Sequence, residues 1–420
     1  MFTLLRQRNF ALLWWGGLVS LTGNRVLSIA LPFYIYQQTG STLATATMVL
    51  ATSLPSMLFS SIAGVFVDRW ERKRLMVVTN LLLSLVLLPL FAVQMTGAIW
   101  IVYVVAFCEA AIAIFFGLAE NALLPTLVGQ SDLIAANSLN SLNDTIARLI
   151  GPAFGGLLLS VWEIDSVIIF DCLSYLLACI LISGVKPPAR TRQRNTGDDN
   201  SANFAWQTFR AEWQAGWRIV QRERVIALLF VVTSVTTLAG TMFDPLVAPW
   251  AYGVLHVNAA LFGWMLTLQG AGGVIGGLLF GHIRRIRPAQ LFGTSSIVVG
   301  LILFVMYRTV SIPLVLALCF LAGLPTIGSR IGLQTLFHEN VDDEYRGRVY
   351  GLIGMIGSAL ELLSVSFAGI MSGVVGIVPL LSLAALLTVF AGSIALLLLP
   401  SVTSVKTSLP EKNYTVREVG

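Results

Sequence analysis

Charge is what this chain most lacks. Only 11% of its 420 residues are charged and 56% are hydrophobic, whereas a soluble domain carries about a quarter charged residues. That shortage excludes a soluble globular protein of this length and points to a chain that crosses a membrane many times. Cysteine and histidine are scarce too. The four cysteines, Cys108, Cys172, Cys179 and Cys319, fall inside apolar runs without metal-ligand spacing, and His256, His282 and His338 are scattered near the ends of such runs. They read as buried thiols and isolated imidazoles, with no metal and no cofactor expected. No Walker loop and no nucleophile–base pair is present, so the chain does not read as an enzyme. The apolar run after Arg6 and Arg8 exceeds the h-region of about 7–15 residues in a signal peptide and reads as an uncleaved first span.

Runs long enough to span a bilayer, about 20 helical residues, recur twelve times: 9–37, 42–67, 74–94, 98–128, 135–161, 166–184, 225–253, 259–281, 289–307, 312–338, 346–372 and 377–399. With the N-terminus in the cytoplasm, the inner segments hold Arg6, Arg8, Arg69, Arg72, Lys73, Arg74, the bases of 185–224, Arg284, Arg285, Arg287, Arg346, Arg348 and the tail, while the outer loops hold only Arg308. This is the positive-inside distribution. It accounts for the net charge of +5 without a nucleic-acid partner.

Residues 185–224 interrupt the pattern with a polar, Pro-containing stretch. Trp206, Phe209, Trp213 and Trp217 follow at helical steps among Arg210, Arg218 and Arg222. This fits either a helix lying in the inner interface or one packed on the bundle. The expected organisation is all-α: a six-helix bundle over 1–184, the linker 185–224, a second six-helix bundle over 225–400 and a cytoplasmic tail 401–420. The halves echo each other: Pro32 to Gly64 and Pro245 to Gly277 share one spacing, and "LLPTLV" (123–128) resembles "GLQTLF" (332–337). Parallel six-span halves are one transporter architecture.

"GVFVDRWERKR" (64–74) joins spans two and three. It resembles the loop signature of the major facilitator superfamily, G-x-x-x-D-R-x-G-R-R. Gly64, Asp68, Arg69, Arg72 and Lys73 match, and Glu71 replaces a glycine. Asp68 can pair across to a neighbouring helix end while the bases hold the inner face, a latch that makes in one conformation and breaks in another. The second-half counterpart, "GLLFGHIRRIR" (277–287), has Gly281 in place of the acid, so its latch is expected to be weaker. "RLIGPAFGGLL" (148–158) supplies Gly151, Pro152, Gly155 and Gly156, which resemble the G-P-x-x-G-G motif of superfamily exporters. Small residues let helix backbones touch, and Pro152 removes one helical hydrogen bond and bends the span.

These motifs, together with "ALLPTLVGQSDLIAANSLNSLNDTIARLIGPAFGGLL" and "FDCLSYLLACI", look like the drug:proton antiporter family that contains macrolide efflux pumps and the enterobactin exporter. The likeness covers nearly the whole chain and is densest in the first half. It implies a twelve-helix fold of two pseudo-symmetric bundles, alternating access, and proton-coupled export of small amphipathic molecules by a monomer in a bacterial inner membrane, with both termini cytoplasmic. An importer or lipid flippase of the same fold, and a membrane sensor or scaffold that moves nothing, remain alternatives. Where the family has Asp in span one, this sequence has Asn24.

Ionisable residues inside spans are costly and mark function by default. They are Arg25, Glu109, Glu120, Asp144, Arg148, Asp171, Asp244, Arg330 and Glu361. Glu120 and Arg330 lie toward the inner ends of their spans, Asp171 and Asp244 nearer the outside, and Glu361 mid-span. Asp144 and Arg148 stand at i and i+4 and read as a structural pair. In the superfamily arrangement spans one, four, seven and ten line the cavity. This predicts that Asn24 and Arg25 face water and that Glu109 pairs with Arg25, a carboxylate whose cation comes and goes and so can carry a proton. The candidate substrate contacts are Trp14, Trp15, Phe33, Tyr34, Tyr36, Phe115, Phe116, Met242, Phe243 and Trp250.

Overall fold

The computed structural model describes residues 2–186, 217, 221, 223–282, 286–341 and 343–407. Among them the chain is helical with no strand. The main helices are α1 (Arg8–Thr39), α2 (Thr42–Arg69), α3 (Arg72–Leu87), the short α4 (Phe91–Thr96), α5 (Trp100–Leu127), α6 (Leu133–Ser183), α7 (Arg224–Gly253), α8 (Ala259–His282), α9 (Pro288–Met306), α10 (Ile312–Asn340), α11 (Asp343–Val375) and α12 (Ile377–Thr407). α4 continues the line of α3 after a 3-10 turn at Leu88–Leu90 that holds Pro89. Counting that line once, eleven helices among the described residues are long and apolar enough to cross a membrane. α6 has 51 residues, about 75 Å of helix at 1.5 Å per residue and more than twice a hydrocarbon core. Its non-helical residue is Glu163, at φ 63° and ψ −173°.

Local chemistry sets the tight connections. Gly40 closes α1 in the left-handed region at φ 62°, where a side chain would strain the backbone, and its N–H donates to Tyr36 O at 2.8 Å. Ser41 then caps α2, its hydroxyl accepting the Ala44 N–H at 3.3 Å. The chain therefore reverses in two residues and returns at once through the membrane.

The core is continuous on one side of the membrane and divided on the other. Away from the basic loops, a single buried cluster joins residues before the linker, such as Phe33, Leu87 and Ile168, to residues after it, such as Trp250, Phe262 and Leu381. Toward the basic loops there are two clusters. One holds only residues of the first segment, among them Phe10, Met76 and Leu139; the other holds only residues of the second, among them Leu229, Phe292 and Leu399. Among the described residues, no atom lies within 4 Å of where a Cβ would stand on Gly64 of α2 or on Gly347, Gly351, Gly354 and Gly357 of α11. The two segments meet on one side and part on the other.

Most of the linker, with Trp206, Phe209, Trp213, Arg210, Arg218 and Arg222, lies outside the described residues. Trp217 sets its ring edge-on to Phe230 of α7 at 6.0 Å, a contact of the kind the packed alternative requires. α12 runs to Thr407, past the boundary at 400 that the sequence suggests.

Candidate functional site

Two cavity lobes that share Ser28 and Pro32 of α1 lie against the continuous core. The first, about 460 Å³, is bounded by α1, α2 and α5, with Asn24, Leu31, Met48, Thr52 and Glu109 among its walls. The second, about 330 Å³, is bounded by α1 and α7 to α10, with Phe243, Asp244, Trp250, Met265, Gln269 and Tyr307 among its walls. Ser28 and Pro32 of α1 belong to both lobes and stand between them. Across the two lobes the charged lining residues are Glu109 and Asp244, both acidic.

Asn24 and Arg25 enter different networks. The Asn24 amide donates to Glu109 Oε1 at 2.8 Å and to the Tyr175 hydroxyl at 3.3 Å, and that hydroxyl donates to the same Glu109 oxygen at 3.1 Å. Glu109 is 8% exposed. Beneath this group Asp171 is fully buried, with Oδ1 accepting from Ser174 at 3.1 Å and Oδ2 without a partner among the described residues. Gly23 makes the approach possible, since a Cβ there would stand 2.1 Å from Ser174 Oγ and 2.3 Å from Asp171 Oδ1.

Arg25 pairs with Asp144 at 3.2 Å, and Asp144 also takes Arg148 Nε at 2.8 Å. The expected Arg25–Glu109 pair is therefore corrected. Successive residues on a helix point about 100° apart, so the face that carries Asn24 to Glu109 turns Arg25 toward α6. The Asp144–Arg148 pair expected from sequence is present, and it is two-thirds of a triad. All three members are partly exposed. Gly151 lets α6 close on α1 here, because its Cβ would stand 2.6 Å from Arg25 Cβ.

The proline–glycine motif supplies the rest of the closed side. A Cβ on Gly155 would meet Val26 O at 2.8 Å, one on Gly156 would meet Ala259 O at 2.2 Å, and one on Gly263 would meet Pro152 O at 2.2 Å. Ser53 of α2 donates to Glu361 of α11 at 2.5 Å, which gives Glu361 a partner that sequence proximity could not show.

The aromatic candidates divide. Phe243 and Trp250 line the second lobe. Phe33 and Tyr36 instead fill the closure: Phe33 stacks on Phe262 at 5.5 Å and meets Tyr252 edge-on at 5.4 Å, and Tyr36 packs against Tyr252 and Gly253. Met242 is buried in the core, and Phe115 and Phe116 pack against the first-segment cluster on the basic side. Trp14 is likewise buried, its indole N–H donating to Leu139 O at 2.9 Å; Trp15 is exposed; and Tyr34 faces a separate polar cavity at the closed-side end of the first segment. A helix that both lines a cavity and seals it places its large rings according to depth, which one sequence does not mark. Tyr307, Met265, Met306 and Gln269 were missed because nothing local separates them from other residues of α8 and α9.

Of the loop signature, Gly64 stands in open space and Arg69 ends α2 exposed. Arg72 donates to Ala122 O of α5, and Lys73 lies on the first turn of α3. The side chain of Asp68 lies outside the described residues. Among the described residues no cluster of side chains could hold a metal ion.

The family model of the Major Facilitator Superfamily matches residues 13–360 and, in a second match, 229–417. The chain belongs to this superfamily. It is a multi-pass membrane transporter, not an enzyme. It is 28% identical over 361 residues to macrolide efflux protein A of Streptococcus pyogenes, covering 83% of this chain and 86% of that protein. Against the multidrug efflux pump Tap of Mycolicibacterium fortuitum it is 24% identical over 375 residues, covering 84% and 87%. The fold is similar to that of a bacterial homologue of the iron transporter ferroportin in its inward-facing state, with a TM-score of 0.73 at 15% identity over 94% of this chain and 98% of that one.

Proposed function

We propose that this superfamily member exports small amphipathic organic molecules by alternating access, coupled to protons. The observation that carries the reading is the core itself, continuous on one side and split on the other, with a cavity at the junction. Two rigid bodies that meet at one end can rock to meet at the other, and a solute held between them changes sides. Reading α6 as two crossings broken at Glu163 gives twelve spans in two six-helix bundles, with the boundaries near 184 and 225.

The basic loops support a reading with the open side and both termini in the cytoplasm, and the bacterial macrolide and multidrug efflux relatives support one in a bacterial inner membrane. The lobe walls suit an amphipath that carries positive charge: aromatic and methionine surface beside Asp244 and Glu109. Glu361 is the best placed coupling carboxyl on the second segment, because its hydrogen bond to Ser53 crosses the line along which the segments separate. Glu109 is its counterpart on the first. Asp68, with Arg69, Arg72 and Lys73, would latch the cytoplasmic side when that side closes. Nothing in the arrangement requires a second copy of the chain.

Everted membrane vesicles with an imposed pH gradient, given a cationic macrolide outside, test this. Accumulation in everted vesicles that collapses with the gradient is expected, and Glu361→Gln should lose gradient dependence while still binding the drug. Uptake in the opposite direction would make it an importer or a flippase. No flux of any amphipath would sink the transport coupling altogether.

A further inference from the structure

We infer that the Thr267 hydroxyl is a positioning group for the closed side, holding the Pro152 turn of α6 from across the interface and letting go when that side opens. The inference rests on the alternating-access reading above and names one residue that sets the balance between its two states.

Thr267 lies on α8, between Gly263 and Gly270 on the face pressed against α6. Its Oγ1 accepts the Ala153 N–H at 3.1 Å and donates to Leu149 O at 3.0 Å. Those two groups are the donor and acceptor of one turn of α6. A hydroxyl of the second segment therefore engages a backbone turn of the first. The turn is a special one. Pro152 has no N–H, so Arg148 O is without its helical donor, and the helix is already weakened where Thr267 enters. The approach is close enough only because the flanking positions are glycines. A Cβ on Gly263 would stand 2.2 Å from Pro152 O, and one on Gly270 would stand 3.3 Å from Leu149 Cδ2 and 3.6 Å from Arg148 O.

The geometry has a property that an ordinary interhelical hydrogen bond lacks. When α8 withdraws, Ala153 N–H and Leu149 O stand four residues apart on one helix and can bond to each other. Neither is stranded in lipid, where an unpaired backbone group is expensive. The turn is thus satisfied in both states, with the help of the hydroxyl in one and from within in the other, and the hydroxyl adds only the difference. That difference is the size of a net neutral hydrogen bond or two, roughly a tenfold bias toward closure. Neither partner titrates, so the bias does not depend on pH.

Spin labels at Trp162, beside the Glu163 break of α6, and at His256, in the connection between α7 and α8, read the separation by double electron–electron resonance in the full chain in nanodiscs. The four native cysteines are replaced first. Thr267→Val keeps the shape and removes the hydroxyl, whereas Thr267→Ser keeps the hydroxyl. We expect Val to raise the population of the long distance roughly tenfold and Ser to match the parent. Thr267→Ala, read against Ser, serves where Val does not fold. A hydroxyl that served only stability would lower the unfolding temperature of Val and leave the ratio of the two distances unchanged, which would overturn the inference. If the parent shows two distances and Val does not shift them, the inference alone fails. If the parent shows one distance under every ligand and pH, alternating access fails and takes the inference with it.

Discussion

Asn24 and Arg25 are neighbours in the chain, yet the two networks they enter are opposites. The Asn24 network is the drier of the two. Glu109, Tyr175 and Asp171 are all buried, and its carboxyls have hydroxyl and amide partners but, among the described residues, no cation within ion-pair distance. The Arg25 network is wet: Arg25, Asp144 and Arg148 side chains are 32%, 41% and 52% exposed, and two cations share one acid. One turn of α1 thus meets two carboxyls, Glu109 and Asp171, through Asn24 and Gly23, and an acid with a second base, Asp144 with Arg148, through Arg25. In the drier network geometry weighs most, because the buried groups have few partners and little water to replace them. In the wet network water screens the charges, and the loss of one partner is softened.

The contrast can be broken most severely at Gly23. Gly23→Ala drives a methyl into Asp171 and Ser174 at about 2 Å, and overpacking of this kind costs about 1–3 kcal/mol or more. Gly64→Ala, with nothing within 4 Å, should be silent. Unfolding midpoints in detergent should separate the two clearly, and a silent Gly23→Ala would show that the drier network yields.

Asn24→Asp comes next. It places a second oxygen 2.8 Å from Glu109 Oε1, where two carboxyls are tolerated only while they share a proton. The variant should be stable at low pH and lose stability as pH rises, more steeply than the parent. Equal pH profiles in a melting series would mean that the site admits water or a cation.

A smaller effect is expected at Asp144. Asp144→Asn leaves Arg25 and Arg148 without a counter-charge, but both are partly solvated, so the loss should be about 1 kcal/mol. A double-mutant cycle sharpens the point. Arg25→Met and Asp144→Asn should be coupled by roughly 0.5–1 kcal/mol, whereas Arg25→Met and Glu109→Gln should add within about 0.5 kcal/mol. Coupling of the second pair would restore the partner that sequence first suggests for Arg25.

The helices and their order were legible because an apolar run is a one-dimensional property of the chain. A run is apolar or it is not, and each of α1 to α12 overlaps a run read from sequence. The proline–glycine motif was legible for the same reason, and its close approaches to Val26 and Ala259 follow from it. Partners were not legible. Arg25 and Glu109 sit at matching positions on two cavity helices, but rotation about the helix axis, fixed by Gly23 and Gly151, decides what each side chain meets. Depth failed similarly for Phe33 and Tyr36, which seal the cavity they were expected to line. Thr267 and Ser53 carry no signal at all in one sequence, since a hydroxyl on a membrane helix usually bonds its own backbone four residues back, as Thr22 and Thr326 do here.

The closed side is sealed by glycine backbones, carbonyls and rings: Gly155 on Val26, Gly156 on Ala259, Gly253 on Tyr36, Phe33 on Phe262. No formal charge takes part in these contacts. Added salt, which shortens the reach of exposed charges to about 3 Å at 1 M, has nothing to weaken there. The opposite face, crowded with arginine and lysine, is where dissolved ions can act. Ionic strength should therefore reach the transport cycle from one end only, slowing or hastening the steps at the basic face while the far seal holds at its own pace.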